Sequence, residues 1–151
     1  MAWACLVPAR GATAPDRVCV YDRECGDGLA GGTRSSGTGP SAGPTGSITD
    51  EYVYLNSNVS AALSTMQTPR LEMPFGGTVT FQYHMHGLAV GTLRVECTVD
   101  GQPVTVWSRV GAEHPAADSP WSTATAVAPP STTAVRWVGT HFTVSGHSDI
   151  A

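Results

Sequence analysis

Two histidines placed two positions apart are the first residues that suggest chemistry. His84 and His86 lie in the stretch FQYHMHG, where apolar and polar residues alternate. In an extended chain such residues point to the same side, so both imidazoles could hold a metal ion. No third ligand is identifiable nearby in the sequence. We therefore expect both rings to pack at the surface or between sheets.

Hydrolytic chemistry would need a nucleophile paired with a base, or two carboxylates facing one groove. No histidine has a recognisable pairing with a nucleophile in the sequence. Glu96 follows Arg94 by two positions, and we predict that it faces outward in a cross-strand ion pair. The sequence therefore predicts a protein without catalytic residues.

The stretch from Thr78 to Val106 must position these side chains, and it predicts three antiparallel strands. Apolar and polar residues alternate in it with a period of two, and Asp100-Gly101 is a strong hairpin signal. Each strand has one apolar face, so a second sheet must cover it. The predicted core residues are Phe81, Tyr83, Leu93, Val95, Trp107 and Trp137.

Composition narrows the fold and function further. The chain has 151 residues, with 17 Gly, 11 Pro and 13% charged residues, which indicates one β-rich domain with many turns. Its 8 basic residues are all arginines spread along the chain, so no basic patch predicts nucleic-acid binding. No apolar run is long enough to predict insertion of this segment into a membrane.

The chain order predicts an all-β sandwich of eight to ten strands. Residues 1–16 show no clear pattern and are expected to be an unstructured leader or a gene-start remnant, and residues 17–151 form the domain. The Gly/Ser/Thr/Pro-rich residues 26–46 predict a long surface loop. Further strands are predicted at residues 17–21, 48–55, 61–66, 121–127, 133–138 and 141–144.

The four cysteines match no zinc-binding spacing. Cys19 and Cys25 are close in sequence, which suits a short surface disulfide in an oxidising compartment. Cys97 lies in the apolar row of its strand, where a free cysteine behaves as a small hydrophobic residue. A long-range bridge from Cys97 to Cys5 is the alternative, and the sequence leaves both open.

The order of several motifs resembles the MAM domain, an extracellular adhesion module of meprin-type proteases and receptor tyrosine phosphatases. The most specific piece is similar to the family's aromatic-x-Tyr-His-Met-x-Gly followed by Gly-Thr-Leu-x-Val. The resemblance spans CVYDRECG at 19–26, SAGPTGSITDEYVYL at 41–55, FQYHMHGLAVGTLRV at 81–95, VWSRVG at 106–111 with Trp121, and GHSDIA at 146–151.

This resemblance implies a jelly-roll-like sandwich of two antiparallel sheets that binds protein, often homophilically, outside the cell or at its surface. It also makes Asp22 and Asp149 candidate ligands of a Ca²⁺ or Na⁺ ion, and the alternative is that both carboxylates cap loops. The chain departs from the family where Asp27 replaces a tryptophan and Ser47 an aspartate. The family's final acidic pair is absent, so we expect a piece of a larger membrane-anchored or secreted chain.

Asn58 begins an N-x-S sequon and is a candidate glycosylation site, in keeping with an extracellular setting. The alternative function is a lectin-like carbohydrate-binding sandwich, because jelly rolls often bind sugars on a sheet face or loop rim. That function would need exposed aromatic rings. Trp107 and Trp137 are predicted in the core, so protein binding is the preferred hypothesis.

Overall fold

The computed structural model describes residues 5–8, 29–32, 40–48, 52–56, 63–142 and 148–150, and these ranges contain strands and turns but no helix. Alternating apolar residues and frequent turn residues give short strands rather than helices. The strands are β1 (Cys5–Pro8), β2 (Leu29–Gly32), β3 (Tyr52–Asn56), β4 (Leu63–Gln67), β5 (Gly77–Tyr83), β6 (Met85–Gly87), β7 (Val90–Val99), β8 (Gln102–Val110), β9 (Ser122–Ala128), β10 (Thr132–His141) and β11 (Ser148–Ile150).

The strands pair in three antiparallel groups that build two layers. The orders are β1-β5-β9, β4-β10-β7-β8 and β2-β3-β11-β6. Strands β5 and β6 follow one another directly, with only His84 between them, so the first and third groups continue each other. The second group packs against them. The predicted all-β sandwich of antiparallel sheets is confirmed.

The core lies between the layers and follows the predicted alternation. In β5, Val79, Phe81 and Tyr83 are buried, while the residues between them are half-buried. In β7, the register places Val95 between Trp137 on β10 and Trp107 on β8. All six predicted core residues belong to this region, with Trp107 half-buried and packed against the buried members.

Two local features fix the register. The hairpin between β7 and β8 has positive φ angles at Asp100 and Gly101, 51° and 76°, as a type I′ turn requires. Further along, Val95 pairs with Trp107 while Glu96 pairs with Thr105, so Val106 is an extra residue. This is a β-bulge, which twists the edge strand β8.

Three sequence-based expectations differ from the structure. Residues 5–8, inside the expected leader, pair with β5 as strand β1, because the backbone of an open edge accepts any extended segment. Residues 29–32, inside the expected loop, pair with β3. The separate strands expected at 133–138 and 141–144 overlap a single strand, β10. Its pairing with β7 shifts in register between Gly139 and His141. The strand expected at residues 17–21 lies outside the described residues.

Candidate functional site

A cluster of three histidines, His84, His86 and His114, forms where the loop of residues 111–121 crosses the junction between β5 and β6. The backbone N–H groups of Glu113 and His114 donate to the carbonyl of Met85, at 3.1 and 2.9 Å. In return, the Met85 N–H donates to Nδ1 of His114 at 2.9 Å. Since Nδ1 accepts, the His114 proton sits on Nε2, 3.1 Å from the Ser122 hydroxyl. His114 therefore holds the loop to the strand as a neutral ring.

His84 lies beneath this loop and is fully buried, at 0% exposure. Its ring stacks on His114, with centroids 4.3 Å apart and planes 19° apart. Neither of its ring nitrogens has a hydrogen-bond partner in the described part of the chain. Burial, followed by the nearby His114 and His86, lowers the pKa of His84 to about 4, although the Ala116 and Ser119 backbone favours the protonated form. His84 is therefore neutral at physiological pH.

Both histidine rings were expected to pack at the surface or between sheets, and His84 instead packs beneath the 111–121 loop against His114. The sequence pattern describes a strand with one face in water, whereas here the 111–121 loop covers that face. The residue that the sequence analysis missed is His114. It lies 28 positions after His86, and its carbonyl oxygen is 2.9 Å from His86 Nδ1. Contacts over such separations are not visible in a local alternation pattern.

The geometry of the three rings is unsuitable for one metal ion. A histidine nitrogen binds a metal in the plane of its ring, and the stacked rings of His84 and His114 have nearly parallel planes. His114 also uses both of its nitrogens in hydrogen bonds. In the part of the chain that the structure describes, no group of three His, Cys, Asp or Glu residues could hold a metal ion.

A second segment, residues 40–48, packs against the same loop. The Tyr52 hydroxyl donates to the Pro40 carbonyl at 3.0 Å, and the Trp121 indole N–H donates to the Ala42 carbonyl at 2.9 Å. The two aromatic rings meet edge to face, 5.2 Å apart. Between this segment and the loop lies an open cavity of about 300 Å³. The loop that covers the histidine cluster is thus joined to a second surface segment.

The sequence GPSAG at residues 39–43 fits the Gly-x-Ser-x-Gly spacing of a hydrolase nucleophile elbow. That motif acts only where the serine stands on a turn between a strand and a helix. Here Ser41 is exposed in a bend, and residues 40–48 contain no helix. Its hydroxyl donates weakly to the Ala117 carbonyl, at 3.4 Å. The spacing match therefore does not mark a nucleophile here.

Glu96 lies on the outer face of β7, as expected, but it is only 6% exposed because two arginines enclose its carboxylate. Arg94 is its neighbour along the same strand, and the true cross-strand partner is Arg136 on β10. Burial alone would raise the pKa of Glu96, but hydrogen bonds from both arginines lower it below its usual value. A carboxylate held by two guanidinium groups is a structural ion pair and a poor base.

The two tryptophans that were predicted in the core, Trp107 and Trp137, pack against other aromatic rings. Trp107 meets Phe81 and Tyr83 edge to face, with both centroid distances 5.0 Å. The Arg109 guanidinium lies over the Trp107 ring, 5.0 Å from its centroid. Trp137 is buried beside Phe81. This group serves the core and the edge of the sandwich.

Cys97 is a free and fully buried thiol. Burial raises its pKa and so disfavours the reactive thiolate. We expect Cys97 to resist iodoacetamide in the native protein and to react only as fast as the core opens. Mass mapping, with a denatured sample as the control, measures this. Rapid labelling of Cys97 in the native chain would contradict its placement.

The other predicted site residues receive no structural description of their side chains. Cys19, Cys25, Asp22 and Asn58 lie outside the described residues. Asp149 lies on β11, where its backbone pairs with His86 of β6. The disulfide, the glycosylation site and the cation site therefore stay predictions.

The described strands form an all-β sandwich of antiparallel sheets, and this fold is found in proteins of known structure. The chain is similar to the K1 cleaved adhesin domain of Lys-gingipain from Porphyromonas gingivalis, with a TM-score of 0.55, 17% identity and coverage of 87% of this chain and 84% of that one. It is also similar to the K3 cleaved adhesin domain of the same protein, with a TM-score of 0.51, 15% identity and coverage of 82% and 88%. No family model matches the chain. At these identities the similarity establishes the fold.

Proposed function

We propose that this chain is a non-catalytic protein-interaction module that acts in adhesion, outside the cell or at its surface. The observation that carries the proposal is the shared fold with two adhesin domains over more than four fifths of the chain. The MAM-like motifs support it independently. Homophilic contact, as in the MAM resemblance, belongs to the same proposal.

The placement of the most specific MAM-like motif supports a structural role for its residues. Phe81, Tyr83 and Met85 point into the core, and His84 is buried under the 111–121 loop. A motif that maintains packing is consistent with a scaffold whose outer surfaces do the binding. The MAM assignment is therefore part of the proposal and agrees with how these residues are used.

The described polar side chains also favour binding over chemistry. The carboxylate of Glu96 forms ion pairs with Arg94 and Arg136, and both ring nitrogens of His114 are used in hydrogen bonds. A catalytic base needs a free lone pair within reach of substrate. These groups hold the fold together.

The described residues contain no helix that is long and apolar enough to cross a membrane.

A bead assay tests the proposed function. Beads coated with the domain are expected to bind one another or a cell surface, and protease treatment of the cells is expected to remove binding to them. Beads coated with serum albumin are the control. Saturable, sugar-specific binding on a glycan array, with protease-resistant cell binding, would instead support the lectin-like alternative. Beads that bind nothing would refute the adhesion proposal.

A further inference from the structure

Among the strands that the structure describes, β9 has a partner on one side only. It pairs with β5 through seven consecutive positions without a register shift, and no described strand pairs with its other side. In an antiparallel sheet, alternate residues direct their N–H and C=O groups to opposite neighbours. About half of the backbone groups of β9 therefore point away from β5 and can bond to another strand.

Edge strands usually carry features that prevent pairing with another chain, and β9 lacks them. Its sequence, STATAVA, has no charge and no proline. The neighbouring edge of the other layer, β8, has Pro103, the bulge at Val106 and the charged Arg109. The remaining described edges, β1, β2, β4 and β6, have only three to five residues each. Among these edges, β9 is the one best suited to accept a strand.

The side chains of β9 are compatible with a second copy of themselves. Thr123, Thr125 and Val127 are exposed and neutral, and Val127 is 74% exposed. All three are β-branched, which favours cross-strand packing. Antiparallel pairing of two β9 strands brings these residues opposite one another without like charges. The chain has a net charge of −4, and an uncharged strip lets two copies approach without bringing like charges together.

We propose that β9 pairs antiparallel with β9 of a second copy, which joins two β1-β5-β9 sheets into one six-stranded sheet. A twofold axis near Thr125 relates the copies, so both contribute the same surface. This inference rests on the proposed function and deepens it by naming the partner and the surface. Seven paired residues give a weak contact, and display of many copies on one surface strengthens it.

Sedimentation equilibrium of variants of the chain tests this inference. The wild type, the neutral control Thr125→Ser and the edge control Thr105→Lys on β8 are expected to dimerise with similar dissociation constants. Thr125→Lys is expected to weaken the dimer about fivefold or more, because it brings two lysines together across the axis. Val127→Lys is a second variant on the same strand. Circular dichroism verifies that each variant folds.

Hydrogen exchange supplies an independent measurement. As the protein concentration rises through the dimer range, exchange is expected to slow at β9 amides and to stay unchanged at β8 amides. A chain that remains monomeric at millimolar concentration would overturn the inference. A dimer that both Thr125→Lys and Val127→Lys leave intact, or that Thr105→Lys disrupts, would also overturn it.

The bead assay separates this inference from the proposed function. If Thr125→Lys abolishes the dimer while coated beads still bind cells, the inference stands and adhesion uses a further surface. If beads bind nothing while the β9 dimer forms, the proposed function fails and the dimer remains.

Discussion

The substitution Val95→Asp is expected to unfold the domain. Val95 is 0% exposed and lies in the core at the centre of β7, with Trp137 and Trp107 as its cross-strand neighbours. A carboxylate there would lose its hydration without gaining a partner. The expected loss is at least about 4 kcal/mol, a large part of the stability of a typical domain. Loss of the β-sheet circular dichroism and of the near-ultraviolet tryptophan signal would report it.

The matched control is Thr98→Asp on the opposite face of the same strand. Thr98 is half-buried and lines a surface depression together with Arg70, so a new carboxylate there stays hydrated near a cation. We expect its stability to change by less than about 1 kcal/mol in urea titrations. Equal loss from both substitutions would show that the two faces of β7 have been assigned incorrectly.

Acidification from neutral pH is expected to destabilise the domain through the buried ring of His84. The pKa of His84 falls from 6.5 to about 4 on folding. Above pH 6.5 the ring is neutral in both the folded and the unfolded chain, so the free energy of unfolding has its full value there. Between pH 6.5 and 4, the unfolded chain takes up a proton that the folded chain refuses. Stability therefore falls with decreasing pH, by about 3 kcal/mol in total. Urea unfolding at half-unit pH steps measures this.

The neighbouring histidines, His86 and His114, also oppose the uptake of a proton by His84. The pKa of His114 is also lowered by burial, although Glu113 in the same loop offsets part of that. His86 is a neighbouring histidine whose positive form would repel a proton on His84. A proton on Nδ1 of His114 would remove the acceptor of the Met85 N–H and so weaken the attachment of the 111–121 loop.

His84→Phe isolates the effect because it keeps an aromatic ring and removes the titration. The variant is expected to lose most of the slope between pH 6.5 and 4. Glu96→Gln is the contrasting control, since a carboxylate with a lowered pKa loses its contribution only as the pH falls below its unfolded value of 4.5. It should leave the slope above pH 5 unchanged. An unaltered profile in His84→Phe would contradict the assignment.

The alternation of apolar and polar residues was sufficient to predict the central strands and which of their side chains point into the core. The alternation in β5 and β7 and the Asp100-Gly101 turn are properties of neighbouring residues, and the structure has each of them as predicted. The assignment of Phe81 and Val95 to the interior follows from the same period. Such features depend on side-chain direction, which a strand fixes without help from the rest of the chain.

The candidate site was less predictable because it is built from distant segments. His84 occupies a position that the period assigns to solvent, and a loop some thirty residues away covers it. Glu96 is buried by Arg136, which is 40 positions along the chain. Likewise β1 and β2 are short and were missed, because they form by adding to existing edges. None of these contacts leaves a periodic trace in the sequence.

The place of β11 in its sheet has a consequence for how the chain folds during synthesis. Residues 148–150 lie between β3 and β6 and are the bridge through which these two strands join one sheet. A ribosome delivers those three residues after all the other described strands. Until they emerge, β3 and β6 each lack the strand that pairs with them on the β11 side, while the β7-β8 hairpin can already form. Assembly of this sheet is therefore a late event, and nascent chains that stall before residue 148 expose two open edges to the cell's folding machinery.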